Sequence, residues 1–422
     1  MEAMKRALVL CGGGSLGSYE IGAWRYLREK GLEFDIVTGT SIGAINGALV
    51  VSGEFEKAET LWKSVDASRV INNGINFYDR MWESFTRANF SRLMALAKDY
   101  VKFGGFDISP LIELMNQAID PKKVLNSKTA FAVTTSTFPG FKQHNVDMKK
   151  VPEKEVMQWL LASSACYPIF PVRTINKKRY VDGGYNDNLP IDLALQMGAD
   201  EVVAVLLHSI PKMPQHPELM DLPFVTAIRP THEGGSIMNF SNSVVLNNMA
   251  LGYLDARKTY GELWGRYFAF HIDESLEARF HNFLIEMAHE NLLALSKTQE
   301  ALTFEEIKPK TNRQIYIRTI ELLGEWLGMD YLQVYEIDDF LNQALKKLHQ
   351  DGAKPNIHEF LASHLFNKHI SPNERRPFLS YLDYVYSNDL KRNKLQQMAE
   401  TDPEIWAFMA LFEQFKKAGL LN

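Results

Sequence analysis

Gly39-Thr40-Ser41-Ile42-Gly43 lies between the run Phe34 to Val37 and the small-residue run Ala44 to Val51. This order reads as strand, sharp turn, helix. A Gly-x-Ser-x-Gly at such a junction is a nucleophile elbow: the glycines clear space while the serine takes a strained turn conformation. The serine hydroxyl then stands near the positive N-terminal end of the helix that follows.

Outward from the elbow, Arg6 to Cys11 is a short aliphatic run ending in Gly12-Gly13-Gly14-Ser15-Leu16-Gly17. Tyr19 to Lys30 follows with helical spacing and stops at Gly31. Strand, glycine turn, helix, strand, glycine turn, helix is the signature of a parallel α/β sheet. Further along, Thr129 to Thr137 and Glu201 to His208 are β-prone runs, and Glu153 to Ala165 and Pro190 to Met197 read as helices. Arg173 to Tyr185 alternates and then reaches Asp182-Gly183-Gly184, a tight-turn signal. After Ile272 helical patterns dominate, among them Leu276 to Thr303, Arg313 to Leu327, Ile337 to His349, Ile357 to Phe366 and Pro403 to Lys417. The expected organisation is therefore an α/β domain over 1–270 and an all-α C-terminal region over 271–422.

Composition sets the outer limits. With 422 residues, 46% hydrophobic and 23% charged, the chain has the make-up of a globular protein with room for two or three domains. A net charge of −5 argues against nucleic acid as a partner. The two cysteines, Cys11 and Cys166, form neither a disulfide framework nor a zinc motif. The run Ala7 to Cys11 is too short for a signal peptide, and polar residues and glycines make Ile36 to Gly53 a poor bilayer span. The expected location is the cytoplasm. No segment specifies an oligomeric state.

The glycine turn fits two chemistries. As G-x-G-x-x-G (Gly12, Gly14, Gly17) it would cradle a phosphate in a nucleotide-binding module. That use wants an acidic residue closing the second strand, whereas Glu33 and Asp35 come before or at its start. As an oxyanion hole, the backbone N–H groups of Gly12, Gly13 and Gly14 would stabilise a tetrahedral intermediate, one donor being worth around 3 kcal/mol. Ser41 needs a base, and no histidine sits in a motif: His208 ends a strand and His232 lies in a loop. Asp182, a carboxylate on a Gly-Gly turn, could accept the serine proton if placement and desolvation raise its basicity. Cys166, beside Ser163 and Ser164, reads as a packed small hydrophobe.

The three motifs together resemble the patatin-like phospholipases. The matching segments are Gly12 to Gly17 (GGGSLG), Gly39 to Gly43 (GTSIG) and Asp182 to Gly184 (DGG), with Ala162 to Pro171 and Asn188-Leu189-Pro190 around the aspartate. The resemblance covers about Arg6 to Phe270. It implies a three-layer α/β/α domain and a Ser-Asp dyad, with Ser41 as nucleophile and Asp182 as proton acceptor. It also implies oxyanion donors from Gly12–Gly14 and hydrolysis of lipid carboxylic esters with no metal and no cofactor. Leu16 departs from the pattern, standing where most members carry Arg or Lys. An inert scaffold is the third reading. Phe77 to Phe106, in which Trp82, Phe85 and Tyr100 alternate with Arg80, Arg87 and Lys98, reads as core or as a transient contact with a membrane surface.

Overall fold

The computed structural model describes residues 4–74, 104–207, 216–290, 302, 311–350, 370–388 and 390–421. The aromatic and basic stretch Phe77–Phe106 lies outside these except for its last three residues, as do His208 and the helix expected over Ile357–Phe366. The described chain divides into two compact units, Met1–Tyr260 and Gly261–Asn422.

The first unit is built on an eight-stranded sheet. Its elements run β1 (Arg6–Leu10), α1 (Ser18–Glu29), β2 (Ile36–Thr40), α2 (Ile42–Val51), α3 (Phe55–Ser64), α4 (Ser109–Ala118), α5 (Pro121–Asn126), β3 (Ala130–Thr137) and β4 (Gln143–Asp147). They continue with α6 (Glu153–Ser163), β5 (Arg173–Ile175), β6 (Lys178–Asp182), α7 (Ile191–Gln196), β7 (Glu201–Val205), β8 (Val225–Ile228) and α8 (Asn242–Thr259). Strands β3, β2, β1, β7 and β8 are parallel neighbours, while β4 and β6 pair antiparallel with β3 and β5 antiparallel with β6.

Every residue of β2 is buried, and so is each of the last four of β1. Successive side chains point to opposite faces, so an unbroken buried run means that both faces are covered. Consecutive residues of β2 identify the covers. A Cβ at Gly47 of α2 would meet Val37, whereas Thr38 donates its hydroxyl to the carbonyl of Pro190, at the start of α7. Helices α2 and α7 therefore lie on opposite faces, which gives the three layers.

Strand β3 positions the site. Thr134 pairs with Thr40 of β2 and Asn145 of β4; Thr135 pairs with His144 of β4 and Asp182 of β6. With β4 holding one edge throughout, β2 and β6 must share the other in succession. The last residue of β2 and the last of β6 thus abut adjacent residues of one strand. This is how Ser41 and Asp182, distant in sequence, come to one place.

The second unit contains α9 (Glu277–Glu290), α10 (Asn312–Leu327), α11 (Ile337–Gln350), α12 (Arg375–Ser387), α13 (Asn393–Thr401) and α14 (Glu404–Lys417). Its aromatic core includes Phe268, Phe270, Tyr316, Phe340, Phe378, Phe408 and Phe412. It also holds a two-residue parallel ladder between β9 (Ala269–Phe270) and β10 (Val334–Tyr335), so this helical region is not wholly α. Buried Glu321 fixes the entry to β9, its carboxylate accepting the backbone N–H groups of Arg266, Tyr267 and Phe268 at 2.6, 2.7 and 3.0 Å. Phe268 and Phe270 belong to this core, which is why the division falls at Tyr260 rather than at the residue 270 expected from sequence. Among the described residues no helix is long and apolar enough to cross a membrane.

Candidate active site

The elbow forms as its spacing predicts. Ser41 sits at φ 56°, ψ −123°, between the end of β2 and the start of α2. A left-handed φ on a non-glycine residue costs on the order of 1–3 kcal/mol and persists only where its surroundings enforce it. The flanking glycines answer to close approach. A Cβ on Gly39 would lie 2.5 Å from the carbonyl oxygen of Gly43, and one on Gly43 would lie 2.5 Å from that of Leu10. Two bonds lock the turn: the Ser41 N–H donates to Ser163 Oγ at 2.9 Å, and Ser163 Oγ donates to the Thr134 carbonyl at 2.7 Å.

The Ser41 hydroxyl donates to Asp182 Oδ2 at 2.6 Å. The other carboxylate oxygen accepts the Gly184 N–H at 2.8 Å. Asp182 is only 6% exposed, and burial pushes its pKa up to about 6, the Ser41 and Gly184 hydrogen bonds offsetting part of that rise. The carboxylate is thus more basic than an ordinary aspartate yet still ionised at neutral pH. That combination suits a general base.

The glycine turn packs against the elbow, a Cβ on Gly12 falling 3.0 Å from the Ser41 Cβ. Its three amides are not equivalent. Gly12 N–H donates to the Asn188 carbonyl at 3.0 Å, and Asn188 Nδ2 donates to the Gly12 carbonyl at 2.9 Å. Asn188 therefore clamps the Gly12 peptide and takes up its N–H. Gly13 and Gly14 N–H have no acceptor among the described residues, and neither does Ile42 N–H at the start of α2. Of the three amides expected from sequence, Gly12 N–H is thus engaged within the chain, while those of Gly13 and Gly14 keep no acceptor among the described residues.

Beneath the turn lies a polar group that sequence reasoning missed. Glu20, 1% exposed, accepts the Cys11 N–H at 2.7 Å and Asn46 Nδ2 at 2.8 Å, while Asn46 Oδ1 accepts Trp62 Nε1 at 3.0 Å. Burial pushes the Glu20 carboxyl up to about 8. It is therefore mostly protonated at neutral pH. Replacing Glu20 by Ala strands two buried donors at roughly 1–3 kcal/mol each. The expected loss of stability is about 2–6 kcal/mol, read as a lower urea midpoint at unchanged slope; an unmoved midpoint would show that the network bears no load.

Ser41, Asp182 and the Gly12–Gly14 turn open on a cavity of about 390 Å³. Its walls are apolar: Ile45 and Leu49 from α2, Trp62 and Val65 beside them, Leu114 and Met115 from α4. At about 1.5 Å per residue, α2 carries this wall about 12 Å from Ser41 to Leu49. Cys166 also lines the cavity; burial, with the nearby Asp182 charge, pushes its thiol up to about 11, so it stays protonated and unreactive. His232 is not among the lining residues, and burial pushes its pKa down to about 4. Leu16 is 2% exposed and lines a separate small cavity with Tyr19, His232 and Leu251. Its side chain is thus not part of the wall around Ser41. Asp35 accepts the Arg6 N–H at 2.9 Å, at the end of β2 away from the glycine turn, where it cannot serve a nucleotide bound there.

The patatin-like phospholipase family matches residues 8–195. The chain is 25% identical over 218 residues to patatin-like phospholipase domain-containing protein 7 of Rattus norvegicus, covering 47% of this chain and 13% of that protein. It is 26% identical over 208 residues to lysophospholipase NTE1 of Mycosarcoma maydis, covering 49% of this chain and 10% of that protein. The chain thus spans only a small part of these relatives' length. Among solved structures it is similar to VipD from Legionella pneumophila (TM-score 0.40, 15% identity, 99% of this chain and 92% of that one). A second is full-length ExoU in complex with SpcU from Pseudomonas aeruginosa (TM-score 0.32, 12% identity, 99% and 90%).

Proposed function

Since residues 8–195 carry a patatin-like phospholipase domain, we propose that this chain hydrolyses lipid carboxylic esters, of the phospholipid or lysophospholipid type, through a Ser41–Asp182 dyad. The observation that carries the reading is the 2.6 Å hydrogen bond from the Ser41 hydroxyl to a buried carboxylate, beside amides with no acceptor among the described residues and at the wall of an apolar cavity.

In the proposed cycle Ser41 Oγ attacks the ester carbonyl while Asp182 takes its proton. The carbonyl oxygen becomes an anion held by Gly13 and Gly14 N–H, with Ile42 N–H as a third donor. Collapse breaks the acyl–oxygen bond, and the leaving alkoxide takes the proton from Asp182. Water then attacks the acyl-enzyme while Asp182 takes its proton; the acyl–Oγ bond breaks, Ser41 Oγ takes that proton back from Asp182, and the fatty acid is freed.

The cavity fits the acyl product. An extended chain of C–C bonds of about 1.5 Å advances about 1.25 Å per bond along its zigzag axis, so the wall along α2 spans about ten carbons. The expected result of treating the protein with a fluorophosphonate is a single covalent adduct on Ser41, mapped by peptide mass spectrometry. An unlabelled Ser41 in folded protein, with thermal stabilisation by a dinucleotide, would favour the phosphate-binding reading instead. An unlabelled Ser41 with neither effect would favour the inert scaffold.

A further inference from the structure

Beside the cavity the surface carries an aromatic ridge. The turn joining β3 to β4 closes on itself through Phe141 N–H to the Thr137 carbonyl and Thr137 N–H to the Lys142 carbonyl. It presents Phe138 and Phe141, whose rings meet edge to face at 5.6 Å. Phe138 packs on Tyr167 at 5.1 Å, and Phe141 packs on Tyr185 at 5.1 Å. Tyr185 in turn lines the cavity and donates its hydroxyl to the Tyr167 carbonyl. The ridge is thus continuous with the wall around Ser41. Phe138 is only three residues beyond Thr135, the partner of Asp182, or about 10 Å of strand.

Two features are wasteful for a surface that meets only water. Phe141 is 39% exposed and Tyr167 38%. Phe141 also sits at φ 49°, a left-handed conformation that a bulky aromatic adopts only at a cost. Stored strain that displays an apolar ring points to a use for the ring. Cations flank it. Arg179 lies over the Phe138 ring at 4.7 Å, and Lys142 closes the turn; both are exposed. Residues 130–146 and 163–181 contain Lys142, Arg173, Lys177, Lys178 and Arg179 and no Asp or Glu. Aromatic rings flanked by cations match a headgroup region, where rings enter the acyl boundary and cations meet anionic lipid.

We propose that the Phe138–Phe141–Tyr167 ridge is the surface on which this chain settles onto an anionic lipid–water interface, with Tyr185 leading from the docked leaflet to the cavity. The proposal rests on the lipid-esterase reading of that cavity.

The test is flotation of the full chain with vesicles of equal parts phosphatidylcholine and phosphatidylglycerol, run beside vesicles of phosphatidylcholine alone. The parent should partition more strongly onto the mixed vesicles. The double variant Phe141→Ser, Tyr167→Ser should bind them at least about tenfold more weakly, while hydrolysing a water-soluble short-chain aryl ester within about twofold of the parent. Lys142→Glu should weaken binding to the mixed vesicles and leave phosphatidylcholine binding unchanged. Undiminished binding by the double variant overturns the proposal. So does a parent that floats with neither vesicle and dimerises through these residues, because the ridge would then be a contact between copies. A parent that floats, loses that binding in the double variant and yet hydrolyses no ester upholds the ridge and refutes the esterase reading.

Discussion

Replacing Ser41 by Ala is expected to lower ester turnover by roughly four to six orders of magnitude, the usual penalty for deleting a serine nucleophile. The chain should still fold. The elbow is held by backbone contacts and by the Ser163 hydroxyl, none of which needs the Ser41 side chain. What is lost is one hydrogen bond to Asp182, at roughly 1–3 kcal/mol for leaving a buried acceptor short of a donor. Alanine also inherits the positive φ of 56°. Ser41→Gly should be equally inactive yet more stable than Ser41→Ala by about 1 kcal/mol or more, because glycine carries no penalty at that φ. Steady-state hydrolysis and urea denaturation of the two variants test both halves. Turnover retained in either variant would remove Ser41 from the reaction. A glycine variant no more stable than the alanine one would show that the turn is unstrained.

The elbow was legible because its requirement is local. Two glycines must flank a strained residue within five positions, and the 2.5 Å Cβ contacts at Gly39 and Gly43 are the physical form of that spacing. The parallel order of β1, β2 and their helices was legible for the same reason. What brings Ser41 to Asp182 is not local: β3 exchanges one partner for another between Thr134 and Thr135, which no periodicity records. Strand β4, Gln143–Asp147, left little trace because it is half-buried and mostly polar. The unequal amides of the glycine turn were hidden too, since only Asn188 folded back on Gly12 makes them differ. Nothing in the sequence around Glu20 marks it as buried; its enclosure comes from Cys11 and from Asn46, which is distant in sequence. In the second unit, Trp264–Phe270 pairs with itself and with β10, so the boundary depends on contacts distant in sequence.

Asp182→Asn should separate catalytic need from structural need, because the two effects have opposite signs. Asparagine keeps the shape: its Oδ1 can accept the Gly184 N–H, and its amide can donate to Ser41 Oγ. It cannot take the serine proton, so turnover should fall by roughly 10²–10⁴-fold. Stability should move the other way. A folded-state pKa of about 6 against an ordinary 3.8 means that the native state binds the proton more tightly than the unfolded chain. Stability conferred by the protonated group is therefore fully present below about pH 4 and is lost as pH rises through about 6. The cost above that range is about 3 kcal/mol. The substituted amide never ionises, so this variant should be more stable than the parent at pH 8, by up to about 3 kcal/mol, with the difference closing at pH 4. The parent's kcat/KM should rise tenfold per pH unit below about pH 6 and level off above it, tracking the fraction of ionised base. Urea unfolding at both pH values and a pH–rate profile measure all of this. A variant less stable than the parent at pH 8 would mean that the carboxylate anchors the turn through its charge, and the burial that makes it a base would have to be abandoned.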